Sequence, residues 1–362
     1  MPREMDRTRM GGMKSIPSLL IRKLALSATT LLILVLLALP VARPLFASVM
    51  RAHARANTAK DDEVSLCTVV DAPYLFALNP LHQGINSLGL RDDECSASKP
   101  EGVFRILILG DSVAFGNGVQ KDETFPNQLE QRLQSTRTPC EVLNAGVCGY
   151  TAYNELQYYL HRGRDFHPDL VIVAFCLNDV ADPRLHWDYT SRAITNIPAA
   201  AIPNLQYDRD HILPILHSRW HRPAHDPDLR AKVPTFITGE DSIDIRVLED
   251  DSTPEWRWLI SMYSRLRQAA AGDGARFAIV LFPLAYQLDD AYPYLPQQRL
   301  AAYFNACGTP CLDLLPELRA ARSEHPFMLS LSGYYDVWHL SPQGHRAAAE
   351  AIARFLETEH LL

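Results

Sequence analysis

The chain has 362 residues, which is enough for one large domain or two ordinary ones. Hydrophobic residues make up 47% of the chain and charged residues 21%, and this balance is typical of folded globular proteins rather than disordered ones. The formal net charge is −7, and no basic stripe with interleaved aromatic residues follows residue 60, so nucleic acid is excluded as an expected partner.

The N-terminal part of the chain contains a long apolar segment. Residues 24–41 carry no charge, and a second apolar stretch covers 45–50, so that the two together reach the length of a membrane span. More basic residues precede this segment than follow it, which predicts a cytoplasmic segment 1–23 and an exported body. We therefore expect a single-pass signal anchor at 24–50 in the inner membrane, with the remainder periplasmic or otherwise extracytoplasmic. A signal peptide cleaved after the AHA sequence at 52–54 and a buried helix are the alternatives.

The remainder of the chain is predicted to be a lead-in followed by an α/β domain. Residues 51–103 have the composition of a linker and then of a loop-rich segment, whereas short apolar runs alternate with amphipathic segments over 104–362. The predicted strands are 104–109, 141–144, 169–175, 276–282 and 311–314, and the predicted helices are 124–133, 152–162 and 342–357. This alternation predicts a parallel sheet covered on both faces, a three-layer α/β/α domain. Residues 181–253 are rich in Pro, His, Trp and Arg and interrupt the pattern, which predicts an inserted lid or set of substrate-contacting loops.

Four short blocks of polar and glycine residues lie after predicted strands or before the last helix. Their sequences are GDS at 110–112, NAGVCGYT at 144–151, LND at 177–179 and DVWH at 336–339. A serine in a strand-to-helix turn exposes its hydroxyl, and glycine N–H groups or an Asn amide can donate to developing negative charge. An Asp close to a His can orient the imidazole as a base. Each block alone also fits a tight turn, a phosphate-binding loop or a helix cap, although no GxxxxGK[ST] or GxGxxG pattern is present.

In this order the blocks GDS, NAGxxG, ND and DxxHLSPQGH resemble the SGNH/GDSL hydrolase family, over roughly residues 104–358. The resemblance implies a flavodoxin-like sheet, ester hydrolysis or acyl transfer through an acyl-serine, and no cofactor. It implies that Ser112 is the nucleophile, His339 the base and Asp336 the partner of that base. The implied oxyanion donors are the Ser112 amide, Gly149 and Asn178. The nucleophile does not lie in a GxSxG sequence, which separates the chain from the α/β-hydrolases.

Three details of these blocks carry separate expectations. Cys176 stands where the family usually has glycine before the Asn-Asp pair, and we expect Asn178 to keep its role as a donor. Gly146 is the alternative to Gly149 within the second block. Asp111 and Asp179 flank the proposed site residues, and we expect both to form structural hydrogen bonds.

The cysteine and histidine spacings predict no metal site. Seven cysteines occur without a CxxC pair or a zinc-like Cys/His spacing. If the body is exported, Cys67–Cys95 and Cys307–Cys311 are the disulfides closest in sequence, and buried thiols are the alternative. Three histidines recur every four residues in a proline-rich stretch that favours a solvated loop over a metal site: His217, His221 and His225.

Together these features predict a bacterial membrane-anchored serine esterase that acts on a small acyl ester or an acylated glycan. One alternative keeps the same residues and is an O-acyltransferase acting on an exopolysaccharide or cell-envelope glycan. A second alternative is a non-catalytic glycan-binding protein.

Overall fold

The structure is a computed structural model that describes residues 66–70, 72–134, 139–180, 185–188, 193–196, 254–288, 296–329 and 335–362. The predicted anchor at 24–50, the first part of the lead-in and most of the predicted insertion 181–253 lie outside these ranges. Within the described ranges, no helix combines the length and the apolar character that crossing a bilayer requires.

Eleven strands and seven α-helices are found in the described residues. The strands are β1 (Cys67–Val69), β2 (Phe76–Leu78), β3 (Phe104–Gly110), β4 (Cys140–Gly146), β5 (Leu170–Phe175), β6 (Leu185–Asp188), β7 (Ala193–Asn196), β8 (Arg276–Leu281), β9 (Cys311–Asp313), β10 (Phe327–Leu329) and β11 (Tyr335–Leu340). The helices are α1 (Ser112–Phe115), α2 (Phe125–Leu133), α3 (Ala152–His161), α4 (Pro254–Gly272), α5 (Pro296–Ala306), α6 (Leu315–Ala320) and α7 (Pro342–Thr358).

Five of the strands form one parallel sheet in the order β4-β3-β5-β8-β9. Nearly every side chain of β3, β4, β5 and β8 is buried, which requires cover on both faces and explains their continuous apolar sequences. Right-handed crossovers place α2 and α3 on opposite faces, where α2 packs against α7 and α3 packs against α4. The predicted parallel α/β sheet is therefore confirmed.

The sheet order places the ends of three strands around one crevice. The chain passes from β3 to β4 on one side and then returns past β3 to β5 on the other side. Such a reversal opens a crevice beyond the carboxyl ends of the strands, which is where ligands bind in flavodoxin-like sheets. Gly110 pairs with Gly146 on β4 and with Ala174 on β5, so the three strand ends are level.

The described part of the lead-in is packed into the same core as the sheet. Strands β1 and β2 form an antiparallel hairpin, and Leu75, Phe76 and Leu90 are completely buried. The Tyr150 hydroxyl donates to the Phe76 carbonyl at 2.6 Å, and the two rings meet edge to face. The aromatic residues of the lead-in predict that it packs on the body, but the particular contact between Tyr150 and Phe76 joins residues far apart in the sequence and is not visible in local patterns.

A buried arginine fixes the end of the lead-in to the first sheet strand. Arg105 has no exposed surface, and its Nε donates to Glu141 Oε2 at 2.8 Å. Its other guanidinium nitrogens donate to the carbonyls of Ser96, Ala97 and Phe166 at 2.8–3.0 Å. Hydrogen bonds from a guanidinium have fixed directions, so the bonds from Arg105 fix the position of residues 96–97 against the sheet.

Other elements differ from the sequence expectations or extend them. Helices α4, α5 and α6 were not among the predicted helices, and β6 and β7 form an antiparallel hairpin inside the predicted insertion. Neither Cys67–Cys95 nor Cys307–Cys311 is joined as a disulfide.

Candidate active site

Ser112 lies directly after β3, at the start of the four-residue helix α1. Asp111 caps this helix, since its Oδ1 accepts from the Val113 N–H at 2.8 Å. The helix lies against the end of β4, where a Cβ on Gly146 would come within 2.3 Å of the Phe115 nitrogen. A glycine is therefore needed at 146 for the serine turn to sit so close to the sheet.

His339 connects Ser112 with Asp336 by two hydrogen bonds. Its Nε2 lies 2.9 Å from the Ser112 Oγ, and its Nδ1 lies 2.9 Å from Asp336 Oδ2. The structure thus brings together the three residues that the sequence analysis singled out as nucleophile, base and partner. Their geometry is that of a Ser-His-Asp triad, in which an ionised Asp accepts from Nδ1–H and leaves a bare Nε2 facing the serine.

The local conformation of β11 makes this contact possible. From the sequence, Asp336 and His339 were expected only to lie close together before the last helix, and the structure places both in a strand that pairs with β10. Residues three apart in a regular strand point to opposite faces. Here Asp336 Oδ1 accepts from the N–H groups of Trp338 and His339 at 2.9 and 3.1 Å, and this local curl lets both side chains meet.

The environment of Asp336 favours its ionised form. Burial acts to raise its pKa, but the hydrogen bond and charge of His339, together with the two backbone N–H donors, outweigh burial and hold the pKa below its ordinary value. The Asp336 and His339 side chains are 34% and 17% exposed, so the triad opens to solvent on one side.

A second histidine, His345, lies buried behind the triad at the start of α7. Its Nδ1 accepts from the Phe125 N–H at 3.2 Å, and its ring stacks on Phe125. Burial lowers its pKa to about 3, with further contributions from the charges of Arg91 and His339. The imidazole is therefore neutral and joins α7 to α2. The only sequence signal for His345 was its place in the SPQGH stretch.

The predicted oxyanion donors lie at the ends of β4 and β5, on either side of Ser112. Asn178 Nδ2 donates one hydrogen to Asp111 Oδ2 at 2.6 Å, which leaves its second N–H available. Gly149 has a φ of +86°, a backbone conformation that favours glycine. The Gly146 N–H donates to Asn144 Oδ1 at 3.1 Å, so this amide is already engaged. Of the two glycines, Gly149 is therefore the one whose amide remains suited to an oxyanion.

Buried acidic side chains lie next to the turn that carries Asn178. Asp179 Oδ2 accepts from the Cys176 N–H and from the Tyr263 hydroxyl, both at 3.0 Å. Burial, and then the charges of neighbouring carboxylates, raise the pKa of Asp179 and raise that of Glu155 to about 8. Cys176 is completely buried, so the residue that replaces the family glycine packs inside the core.

The loop after α1 approaches His339, and this contact was not predicted from the sequence. Asn117 Nδ2 lies 3.4 Å from His339 Nε2. Arg91, from the lead-in, donates to the carbonyls of Phe115, Gly116 and Val119 at 2.6 Å in each case. The only sequence signal for Asn117 was its place between the two glycines of GNG.

Among the described residues, no group of three or more His, Cys, Asp or Glu side chains is arranged to hold a metal ion. The three histidines at 217, 221 and 225 lie outside the described ranges.

The chain is similar to several solved structures. No curated protein sequence matches the chain. Among solved structures, TesA is similar at 15% identity with a TM-score of 0.42, over 71% of this chain and 99% of TesA. The acetylxylan esterase Axe2 from Geobacillus stearothermophilus is similar at 13% identity and a TM-score of 0.40, over 70% of this chain and 94% of Axe2. A two-domain esterase active on acetylated mannans, CEX, is similar at 16% identity and a TM-score of 0.40, over 71% of this chain and 49% of CEX.

The sequence itself matches the GDSL-like Lipase/Acylhydrolase family over residues 108–347, which is more than half of the chain and includes all four blocks. The chain therefore belongs to the GDSL-like lipase/acylhydrolase family and is an SGNH hydrolase that acts on ester bonds.

Proposed function

We propose that the protein hydrolyses carboxylic esters through an acyl intermediate on Ser112, with His339 as the base and Asp336 as its orienting partner. The observation that carries this proposal is the pair of 2.9 Å contacts that link Ser112 Oγ, the two ring nitrogens of His339 and the Asp336 carboxylate. A serine hydroxyl is a weak nucleophile unless a neighbouring base removes its proton, and this chain of contacts supplies that base.

In the acylation step, Ser112 Oγ attacks the ester carbonyl carbon and its proton passes to His339 Nε2. The tetrahedral intermediate collapses, the bond to the alcohol oxygen breaks, and Nε2–H returns the proton to that oxygen. In deacylation, water attacks the acyl-serine, gives its proton to Nε2, and the proton then passes to Ser112 Oγ. Asp336 stays ionised throughout and stabilises the imidazolium.

We further propose that the oxyanion is bound by the amides of Ser112 and Gly149 and by the free N–H of Asn178. The position of these groups at the ends of β3, β4 and β5 supports this assignment, because the carbonyl oxygen must lie within reach of all three. The Asp111 contact fixes the Asn178 amide before substrate arrives. Loss of one such preplaced donor typically slows catalysis by about 100- to 1,000-fold.

The proposed substrates are small acyl esters or acylated glycans. The partial exposure of His339 and Asp336 supports a site that is open on one side and can accept the alcohol portion of a larger molecule. Release of p-nitrophenol from esters of increasing chain length, and release of acetate from an acetylated oligosaccharide, would rank the substrates.

The test of the nucleophile is Ser112→Ala in the full-length chain, with Ser323→Ala as a matched change at an exposed serine. We expect Ser112→Ala to abolish turnover of p-nitrophenyl acetate without loss of the folded state, and Ser323→Ala to retain it. Wild-type turnover in Ser112→Ala would show that the proposed mechanism is wrong.

For the N-terminal part we propose a single-pass anchor at 24–50 that leaves the hydrolase outside the cytoplasm. The support is the uncharged run and the excess of basic residues before it. A reporter enzyme fused after Leu362 that works only outside the cytoplasm should be active. Activity only from a reporter that requires the cytoplasm would reverse the proposed orientation.

A further inference from the structure

Two polar side chains converge on the nitrogen of His339 that exchanges protons. Ser112 Oγ is 2.9 Å from Nε2, and Asn117 Nδ2 is 3.4 Å from the same atom. A bare imidazole nitrogen has a single lone pair, and the nearer serine hydroxyl uses it. The Asn117 amide therefore lies next to the path along which the proton moves between Ser112 Oγ and Nε2. Because the serine hydroxyl uses the Nε2 lone pair, an Asn117 N–H remains able to donate to another acceptor.

The loop that presents Asn117 is held firmly on both sides. Gly116 and Gly118 have φ values of +81° and +90°, and an added Cβ would come within 2.4 Å of Thr124 or 2.9 Å of Met328. The Asn117 N–H donates to the Ser112 carbonyl at 2.9 Å. These contacts, together with the bonds from Arg91 to the carbonyls of Phe115, Gly116 and Val119, fix the backbone from which the Asn117 side chain projects toward His339.

We propose that Asn117 is a further catalytic residue, which binds the oxygen of the departing alcohol during acylation and the oxygen of the attacking water during deacylation. This inference rests on the proposed function. It deepens that function by naming the group that receives the alcohol or water portion of the reaction.

The chemistry of both steps requires a group in this place. When the ester bond breaks, the alcohol oxygen carries developing negative charge and must lie within reach of Nε2–H, which gives it a proton. Two N–H donors 3.4 Å apart can both reach one oxygen placed between them. In deacylation the water oxygen takes the same place, donates its proton to Nε2 and accepts from Asn117 Nδ2–H. An acceptor hydroxyl in an acyl transfer would also use this position.

The experiment separates acylation from deacylation in the full-length chain. p-Nitrophenolate leaves without a proton, whereas an alkoxide leaves only if it is protonated. Stopped-flow release of p-nitrophenol from p-nitrophenyl acetate therefore measures an acylation step that does not need the Asn117 donor. Steady-state turnover of the same ester includes deacylation by water, and turnover of ethyl acetate includes the departure of an alkoxide.

The variants are Asn117→Ala and the near-isosteric Asn117→Leu, which keeps the branched shape of the side chain and removes the N–H donor without adding a charge beside His339. Asn305→Leu makes the same change at an exposed position. We expect both Asn117 variants to keep the initial p-nitrophenol release close to wild type. Their steady-state turnover and their ethyl acetate hydrolysis should fall by about 10- to 100-fold, as expected for a lost hydrogen bond to a charged oxygen. Asn305→Leu should change neither rate.

Two results would show that Asn117 does not bind the alcohol or water oxygen. One is an equal fall of the initial p-nitrophenol release and of the steady-state turnover in both variants, and the other is no change in either rate. Neither result would alter the proposed roles of Ser112 and His339, which Ser112→Ala tests separately. Release of p-nitrophenol by Ser112→Ala at the wild-type rate would overturn the proposed function and this inference with it.

Discussion

The buried imidazole of His345 makes the stability of the protein sensitive to acid, and His345→Asn tests this. The Asn side chain places its Oδ1 close to where the His Nδ1 lies, so it can still accept the Phe125 N–H that the imidazole accepts at 3.2 Å. The substitution therefore retains the one hydrogen bond and removes the titratable group. The rest of the ring, which stacks on Phe125, is lost, and the small cavity left behind should lower stability at neutral pH by about 1–2 kcal/mol.

The sign and size of the pH effect follow from the lowered pKa. In the unfolded chain His345 has an ordinary pKa of about 6.5, while burial lowers the pKa in the folded protein to about 3. Below pH 6.5 the unfolded chain binds a proton that the folded chain does not bind, so the free energy of unfolding decreases as the pH falls toward 3. Between pH 7 and pH 5 this one group should lower it by about 2 kcal/mol. That figure depends mainly on the pKa of the unfolded chain, because pH 5 is well above the folded value.

Urea unfolding of the wild type and His345→Asn at several pH values between 7 and 5 isolates the contribution of this residue. Other groups titrate in both proteins, so the informative quantity is the difference between the two free energies of unfolding. We expect the wild type to lose its advantage as the pH falls, with the difference changing by about 2 kcal/mol. Two curves that stay parallel over this range would refute the assignment of a neutral, buried His345.

Two further substitutions test contacts that position the site. Gly146→Ala should destabilise the protein by about 1–3 kcal/mol and lower ester turnover, because its methyl group would clash with the backbone of helix α1. Gly272→Ala adds a methyl group that meets nothing within 4 Å, so thermal unfolding should show no loss for this control. Arg105→Met should cost about 3–5 kcal/mol in urea unfolding, since it leaves Glu141 and three carbonyls without their buried partner. Arg346→Met, which breaks an exposed ion pair, should cost less than about 1 kcal/mol, and equal losses for the two arginines would contradict this view.

The sequence predicted the sheet well because its strands are short, continuous apolar runs. The predicted strand 104–109 corresponds to β3 at Phe104–Gly110, and the predicted helix 124–133 corresponds to α2 at Phe125–Leu133. Three of the four blocks lie at the carboxyl ends of β3, β4 and β5, as the rule for parallel sheets requires, and the fourth lies within β11. In these cases local sequence and tertiary structure agree.

Other features were missed for different reasons. Helix α4 carries an apolar pattern, with Trp256, Leu259 and Tyr263 buried, and was overlooked because it follows directly after the irregular insertion. The contact of Arg91 with the loop after Ser112 spans 24–28 residues and has no periodic signal. The curl of β11 depends on the hydrogen bonds that Asp336 Oδ1 accepts from the N–H groups of Trp338 and His339. The spacing of residues in the sequence does not show these bonds.

The loop after Ser112 depends on Arg91, which lies outside the segment that matches the family. The part of the chain needed for activity is therefore longer than the part that the family match covers. The family match begins at residue 108, and the three triad residues all lie inside it. The guanidinium that binds three carbonyls of this loop comes from upstream of the match, as do the buried Leu75 and Phe76. A truncated chain that begins at the first sheet strand would keep the reacting groups and lose the brace that holds Asn117 beside them. Shortened versions intended for activity measurements should therefore begin before residue 66, and a graft of the family segment alone onto another protein would transfer the chemistry without its scaffold.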